Sequence, residues 1–199
     1  MKTPLGLLEF QNKIRGAVRP NIFTVTHNWP AGIPSKPNKD FVAYMCKSAA
    51  LPATNVGTVE LPFRGRVVKV PGDRTYETWT ATFYNDDGWS LRSAYEKWIQ
   101  LTNGVDTNTA TADISQTFEN ITIAQLDKFG GSGAATGTKD YKTLREYVLV
   151  SAWPVSVSQI SVAYDNNDSY EEFDVEFAYQ YHESTDGASN NIVSKDTDG

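Results

Sequence analysis

Within residues 71–98 the spacing of apolar side chains changes once, and that change constrains the fold more than any other feature of the chain. Residues 76–84 are rich in threonine and aromatics, which suit a pleated, half-buried surface. Residues 85–88, Asn85-Asp86-Asp87-Gly88, break that pattern and offer side-chain oxygens to a helix start. From Ser90 the spacing becomes helical. Leu91, Ala94, Tyr95, Trp98 and Leu101 share one face, and Arg92, Ser93, Glu96, Lys97 and Gln100 fill the other. Asn103-Gly104 is the expected stop, and Pro71-Gly72-Asp73 reads as a turn ahead of the strand. The stretch therefore predicts strand, loop and one amphipathic helix packed on a sheet. Trp79, Trp89 and Trp98 are the expected seal between helix and sheet.

The remaining segments read mainly as strands. A short helix beginning at Pro4 would carry Leu7, Phe10 and Ile14 on one face. Residues 21–26 form a first strand pattern, the proline-bearing 29–38 a loop, and 41–49 a second strand. Residues 56–62 and 64–70 predict a long hairpin turning around Phe63 and Gly65. The segments 105–113 and 129–140 read as loops, the latter glycine-rich and flexible. Strand patterns recur at 114–127, 141–153 and 160–164, and Asp165-Asn166-Asn167-Asp168 reads as a turn. In the last strand Phe173, Val175, Phe177, Tyr179 and Tyr181 face one way, and Glu172, Asp174, Glu176, Gln180 and His182 the other. About eight antiparallel strands with one packed helix predict a mainly β protein, a β-barrel or sandwich. The expected organisation is a single domain over residues 1–183 and a polar tail over 184–199.

Composition narrows the function. A chain of 199 residues that is 40% hydrophobic can bury a core. A net charge of −6 speaks against a basic nucleic-acid surface. The one cysteine, Cys46, allows no internal disulfide and fits a reducing compartment. The first residues lack the apolar run of a secretion signal, and no stretch approaches the roughly 20 apolar residues of a membrane helix. A protein made and kept in a cytoplasm is expected.

Catalytic chemistry finds no converging groups, so no enzyme, cofactor or metal is expected. His27 and His182 fall in separate strands, and Cys46 sits among apolar neighbours as a buried thiol. The glycine run from Gly131 to Gly137 follows no βαβ signal and lacks a Gly-Lys pair. Asp165 to Ser169 lacks the glycine and distal glutamate of a calcium loop. Asp86 and Asp87 stand where helix caps stand, and Glu171, Glu172, Asp174 and Glu176 read as a solvated strand face. Asn120-Ile121-Thr122 matches a glycosylation sequon without a sign of secretion.

Several segments carry a resemblance. Arg19-Pro20-Asn21-Ile22-Phe23-Thr24-Val25 resembles the first strand of the tail tube proteins of contractile-tailed bacteriophages. Cys46-Lys47-Ser48-Ala49-Ala50-Leu51-Pro52-Ala53 is similar to that family's segment ahead of a long hairpin. The most specific match is Gly72-Asp73-Arg74-Thr75-Tyr76-Glu77-Thr78-Trp79-Thr80-Ala81-Thr82 with Asn85-Asp86. Ala152-Trp153-Pro154, Tyr164-Asp165-Asn166-Asn167 and Phe173-Asp174-Val175 resemble its C-terminal strands. The matches keep their order over most of residues 19–183. The segments 29–38, 105–113 and 129–140 and the tail look longer than in the shortest relatives. The secreted tube protein of type VI systems is a neighbouring family, but Gly72-Asp73-Arg74-Thr75 looks more phage-like.

The resemblance implies a structural virion protein. Six copies would form a ring, and rings would stack into an inner tail tube through which DNA leaves after sheath contraction. The implied partners are further copies of the chain, the tail sheath protein, the tape-measure protein, and baseplate and terminator proteins. DNA would pass without specific binding, since lysine and arginine contacts to phosphate oppose sliding. An acidic bore face is therefore expected, with Glu172, Asp174 and Glu176 as its candidates. Val59, Leu61, Phe63, Arg64 and Arg66 are the candidates for contacts between subunits, because an isolated hairpin is marginal in water. A baseplate protein of the same fold that initiates the tube is one alternative. A β-sandwich carbohydrate-binding module using Trp29 or Trp89 on a flat face is another.

Overall fold

The computed structural model describes residues 6–14, 16–110, 113–127, 141–165, 167–186 and 191–193. Pro4, the glycine-rich 129–140, Asn166 and most of the expected tail lie outside them. Helix α1 spans Leu7–Ile14, followed by β1 (Phe23–His27), α2 (Lys39–Met45), β2 (Cys46–Ala49), β3 (Asn55–Phe63), β4 (Arg66–Thr75) and β5 (Trp79–Tyr84). Helix α3 (Ser90–Thr102) is followed by β6 (Glu119–Leu126), β7 (Thr143–Val157), β8 (Glu172–Ala178), β9 (Tyr181–Asp186) and β10 (Asn191–Val193). All pairings among them are antiparallel.

The main sheet runs β1-β6-β7-β8-β5-β2, with β9 on β7 and β10 on β9. Among the described residues it ends at β1 and β2, which do not pair with each other, so the sheet is open and not closed into a barrel. Its spine is the 15-residue β7. The C-terminal part of β7 pairs with β8 and the N-terminal part with β9, so β8 and β9 lie end to end along one edge. Where they meet, Ser151 takes a positive φ of 53° and Asn120 Oδ1 accepts its amide.

That irregularity shifts the side-chain phase on both strands. On β7 the buried positions run Leu149, Ala152, Pro154, and on the opposing strands Phe173, Val175, Phe177, Tyr179, then His182 and Ser184. His182, expected on the polar face with Gln180, is therefore buried, and Tyr181 turns away from the Phe173 side. An added residue in one strand reverses the facing of all that follow it. Residues 184–186 continue β9, and β10 pairs with it, so the start of the expected tail is sheet.

Three further expectations change. Residues 39–45 are helical, and the strand begins only at Cys46. Phe41 and Met45, four apart, both pack on the core beside buried Val42, which suits a helical turn. Pro71-Gly72-Asp73 lies inside β4, opposite a register shift between Val56 and Thr58. Gly57 and Gly72 abut there: a Cβ on Gly72 would meet Gly57 at 3.2 Å. The glycines serve close strand approach across a bulge, where a turn was expected. Residues 160–164 form no strand.

Helix α3 starts as its sequence predicts. Trp89 is left-handed at φ 54°, and the Asp86 carboxylate accepts from Ser90 N (2.9 Å), Ser90 Oγ (2.8 Å) and Leu91 N (3.1 Å). Burial works against the Asp86 charge, but these hydrogen bonds outweigh it and hold its pKa below the usual range. Asp86→Ala should cost about 1–2 kcal/mol in chemical denaturation. A midpoint equal to wild type would remove this capping account.

The helix buries Leu91, Ala94, Tyr95 and Trp98 on the sheet face formed by Trp79, Ala81, Phe83, Phe173, Val175 and Phe177. His27 and Trp29 complete this core. His27 Nδ1 lies 2.8 Å from the Asn28 carbonyl, which only accepts, so Nδ1 carries the proton. Nε2 then accepts from the Tyr95 hydroxyl at 2.8 Å. Burial pushes the His27 pKa down to about 4. The unfolded chain takes up this proton near pH 6.5 and the folded chain only near 4. Stability is therefore full above about pH 6.5 and falls as the pH drops toward 4, by roughly 3 kcal/mol in all. His182, also lowered by burial, adds in the same direction. Urea midpoints measured across this window check it; a flat profile contradicts it.

Candidate assembly site

Two surfaces stand out because the fold leaves them open. The first is the β3–β4 ribbon, a two-stranded sheet of its own. Arg64 and Gly65 at its tip both have positive φ, 46° and 81°, as a two-residue hairpin turn requires. Every residue of β3 is exposed.

The register sorts the ribbon into two faces. Val59 pairs with Val70, Leu61 with Val68, and Phe63 with Arg66, so these share one face. Glu60 pairs with Lys69 and Pro62 with Val67 on the other. Of the expected contact residues, Val59, Leu61 and Phe63 thus lie together with Arg66, while Arg64 sits in the turn with its guanidinium 5.4 Å from the Phe63 ring centroid. Val67 falls on the opposite face, and Val68 and Val70 complete the apolar one, an arrangement that follows only once the turn is fixed at Arg64-Gly65. Leu61 is 50% exposed and Phe63 63%, a large apolar strip for a surface.

The second surface is the sheet face opposite α3. Phe173, Val175 and Phe177 point to the helix, so Glu172, Asp174 and Glu176 of β8 project from the other side. Each is held. Lys47 pairs with Glu172, and that contact raises the Lys47 pKa. Thr82 Oγ1 donates to Asp174 (2.7 Å), and Thr78 and Ser156 donate to Glu176. The result is a row of carboxylates held by Lys47 and by the hydroxyls of Thr78, Thr82 and Ser156, with Tyr84 beside it on the same face.

The remaining singled-out residues do not converge. Cys46 is half-buried, and burial pushes its thiol up to about 12, far from a reactive thiolate. His27 belongs to the α3 core, whereas His182 accepts or donates with Thr54 at 3.2 Å. Among the described residues no group of three or more His, Cys, Asp or Glu is placed to hold a metal. The run from Gly131 to Gly137 lies outside the described residues. Trp79 and Trp98 are buried between helix and sheet, but Trp89 is 47% exposed. Trp89 precedes α3 with a left-handed backbone and stays at the surface, and Trp29 fills the core instead. Of the two tryptophans a glycan module would use, Trp29 is buried at 7% exposure and Trp89 alone stands at the surface.

A family model described as phage tail tube protein matches residues 11–185. The chain belongs to this family. Among tail tube proteins, gp19 of Enterobacteria phage T4 is 26% identical over 166 residues, covering 83% of this chain and 90% of that protein. The tail tube protein of Serratia phage KSP90 is also 26% identical, covering 84% and 93%. The fold recurs in solved contractile assemblies. A chain of the anti-feeding prophage baseplate superposes with a TM-score of 0.61 at 13% identity, over 94% of this chain and 99% of that one. A chain of the PVC sheath–tube complex in its extended state gives 0.58 at 16%, over 89% and 97%. The chain is thus a structural tail tube protein of the contractile-phage type and a virion component, and the carbohydrate-binding reading is not favoured. No helix among the described residues is long and apolar enough to cross a membrane.

Proposed function

We propose that copies of this tail tube protein close into six-membered rings that stack into the inner tube, with the β3–β4 ribbon joining neighbours. The observation that carries this is the ribbon itself. A two-stranded ribbon with an exposed apolar face is marginal alone and gains its stability by packing on another surface. The edges of β1 and β2, unpaired among the described residues, offer a second means of joining copies.

In this reading the four-strand stretch β7-β8-β5-β2 supplies the bore wall, and its face away from α3 looks inward. Glu172, Asp174 and Glu176 then line the bore and repel phosphate, so DNA slides without binding. The tape-measure protein occupies the bore beforehand. The sheath surrounds the α3 side, baseplate and terminator proteins meet the two tube ends, and assembly takes place in the host cytoplasm. The protein works as a conduit and performs no catalysis. A tube initiator of the same fold would not form long tubes alone, which separates the two roles.

Changing Glu172, Asp174 and Glu176 to lysine should slow DNA ejection on the order of tenfold at low salt and leave tube assembly intact. The slowing should shrink as salt rises. Ejection at the wild-type rate would contradict an acidic bore.

A further inference from the structure

Among the described residues, helix α1 is an element without a partner. None of its eight residues is buried. Leu7, Phe10 and Ile14 form one stripe with Leu8 beside it, and they are 71%, 54%, 51% and 75% exposed. Isolated helices shorter than about 12 residues are marginal in water, so α1 needs a surface against that stripe.

The apolar face of the β3–β4 ribbon is a matching unpartnered surface. Both are exposed in the same chain, so α1 does not cover its own ribbon. Their sizes agree: eight helical residues span about 12 Å, and Val59 to Phe63 spans about 14 Å along β3. Their chemistry agrees too, with branched aliphatics and one phenylalanine on each side. Each copy carries one helix and one ribbon, so in a polymer of identical chains the two are supplied in equal number. A contact between different patches of identical subunits also extends naturally into rings or stacks.

We propose that the apolar stripe of α1 from one copy packs on the Val59-Leu61-Phe63-Val68-Val70 face of the ribbon of a neighbouring copy. This rests on the tail tube reading and names the occupant of the ribbon face. The contact removes Phe10 and Leu61 from water together. Its orientation puts the ribbon tip, with Arg64 and Arg66, near one end of the helix.

The test uses full-length chains with Cys46→Ala throughout. One preparation carries Phe10→Cys and another Leu61→Cys, and the two are mixed during assembly and oxidised. A two-chain species that needs both preparations is expected. Tubes that assemble from the mixture without that species overturn the contact and leave the tube reading standing. Heterotypic cross-linking without tubes keeps the contact and removes the tube. Cross-linking by Phe10→Cys alone places helix on helix and overturns the assignment. As a second measurement, Phe10→Asp should raise the critical concentration for assembly about tenfold or more with the thermal midpoint unchanged. Assembly at the wild-type concentration overturns it.

Discussion

Deleting residues 63–66 is expected to leave a folded monomer that forms no tubes. The deletion joins Pro62 to Val67, and since proline cannot take the positive φ of a two-residue turn, the ribbon recloses further back through a longer loop. It removes Phe63, the largest apolar side chain of the ribbon face, and both tip arginines. No ribbon residue belongs to the buried core, so the thermal midpoint should stay near that of wild type. Burying an apolar side chain of this size is worth about 1.5–3 kcal/mol. Losing Phe63 and its setting from every contact should raise the critical concentration about a hundredfold or more. Light scattering and imaging read the outcome. A deletion protein that still makes long tubes would remove the ribbon from the account.

The second large effect concerns the core that holds the sheet to α3. Trp98→Ala should cost about 3–5 kcal/mol. Trp98 is fully buried, stacks beside Tyr95 at 6.5 Å and meets Trp29 and Phe177 edge-on. Its Nε1 donates to the Thr117 carbonyl at 2.7 Å, which ties the segment before β6 to the helix. Alanine leaves a cavity among rigid rings and deletes that bond. A domain stable by about 5–15 kcal/mol loses a large share. Trp89→Ala, at a half-exposed position, should cost under about 1 kcal/mol. Urea denaturation of both variants gives the comparison, and equal losses would contradict the packing described here.

These two effects mark where the sequence was readable. Helix α3 was legible because thirteen residues keep one period and a capping aspartate precedes them. The ribbon was legible from its alternation and from the glycine at its tip. Helix α2 was not, because the short apolar run over residues 41–46 does not separate strand from helix. Pro71-Gly72 reads as a turn in isolation, and only the facing Gly57 makes it a bulge. The phase shift at Ser151 and Gln180 was hidden, since a lone serine or glutamine inside a strand pattern does not mark a bulge. The acidic row on β8 was visible as a row. Its side of the sheet became clear only when α3 was seen to cover Phe173, Val175 and Phe177.

Negative-stain imaging of the purified chain tests the central claim most directly. The account predicts long hollow tubes of stacked rings, formed without any other protein. A chain that remains a monomer at high concentration, with its ribbon and sheet edges stably in water, would contradict it.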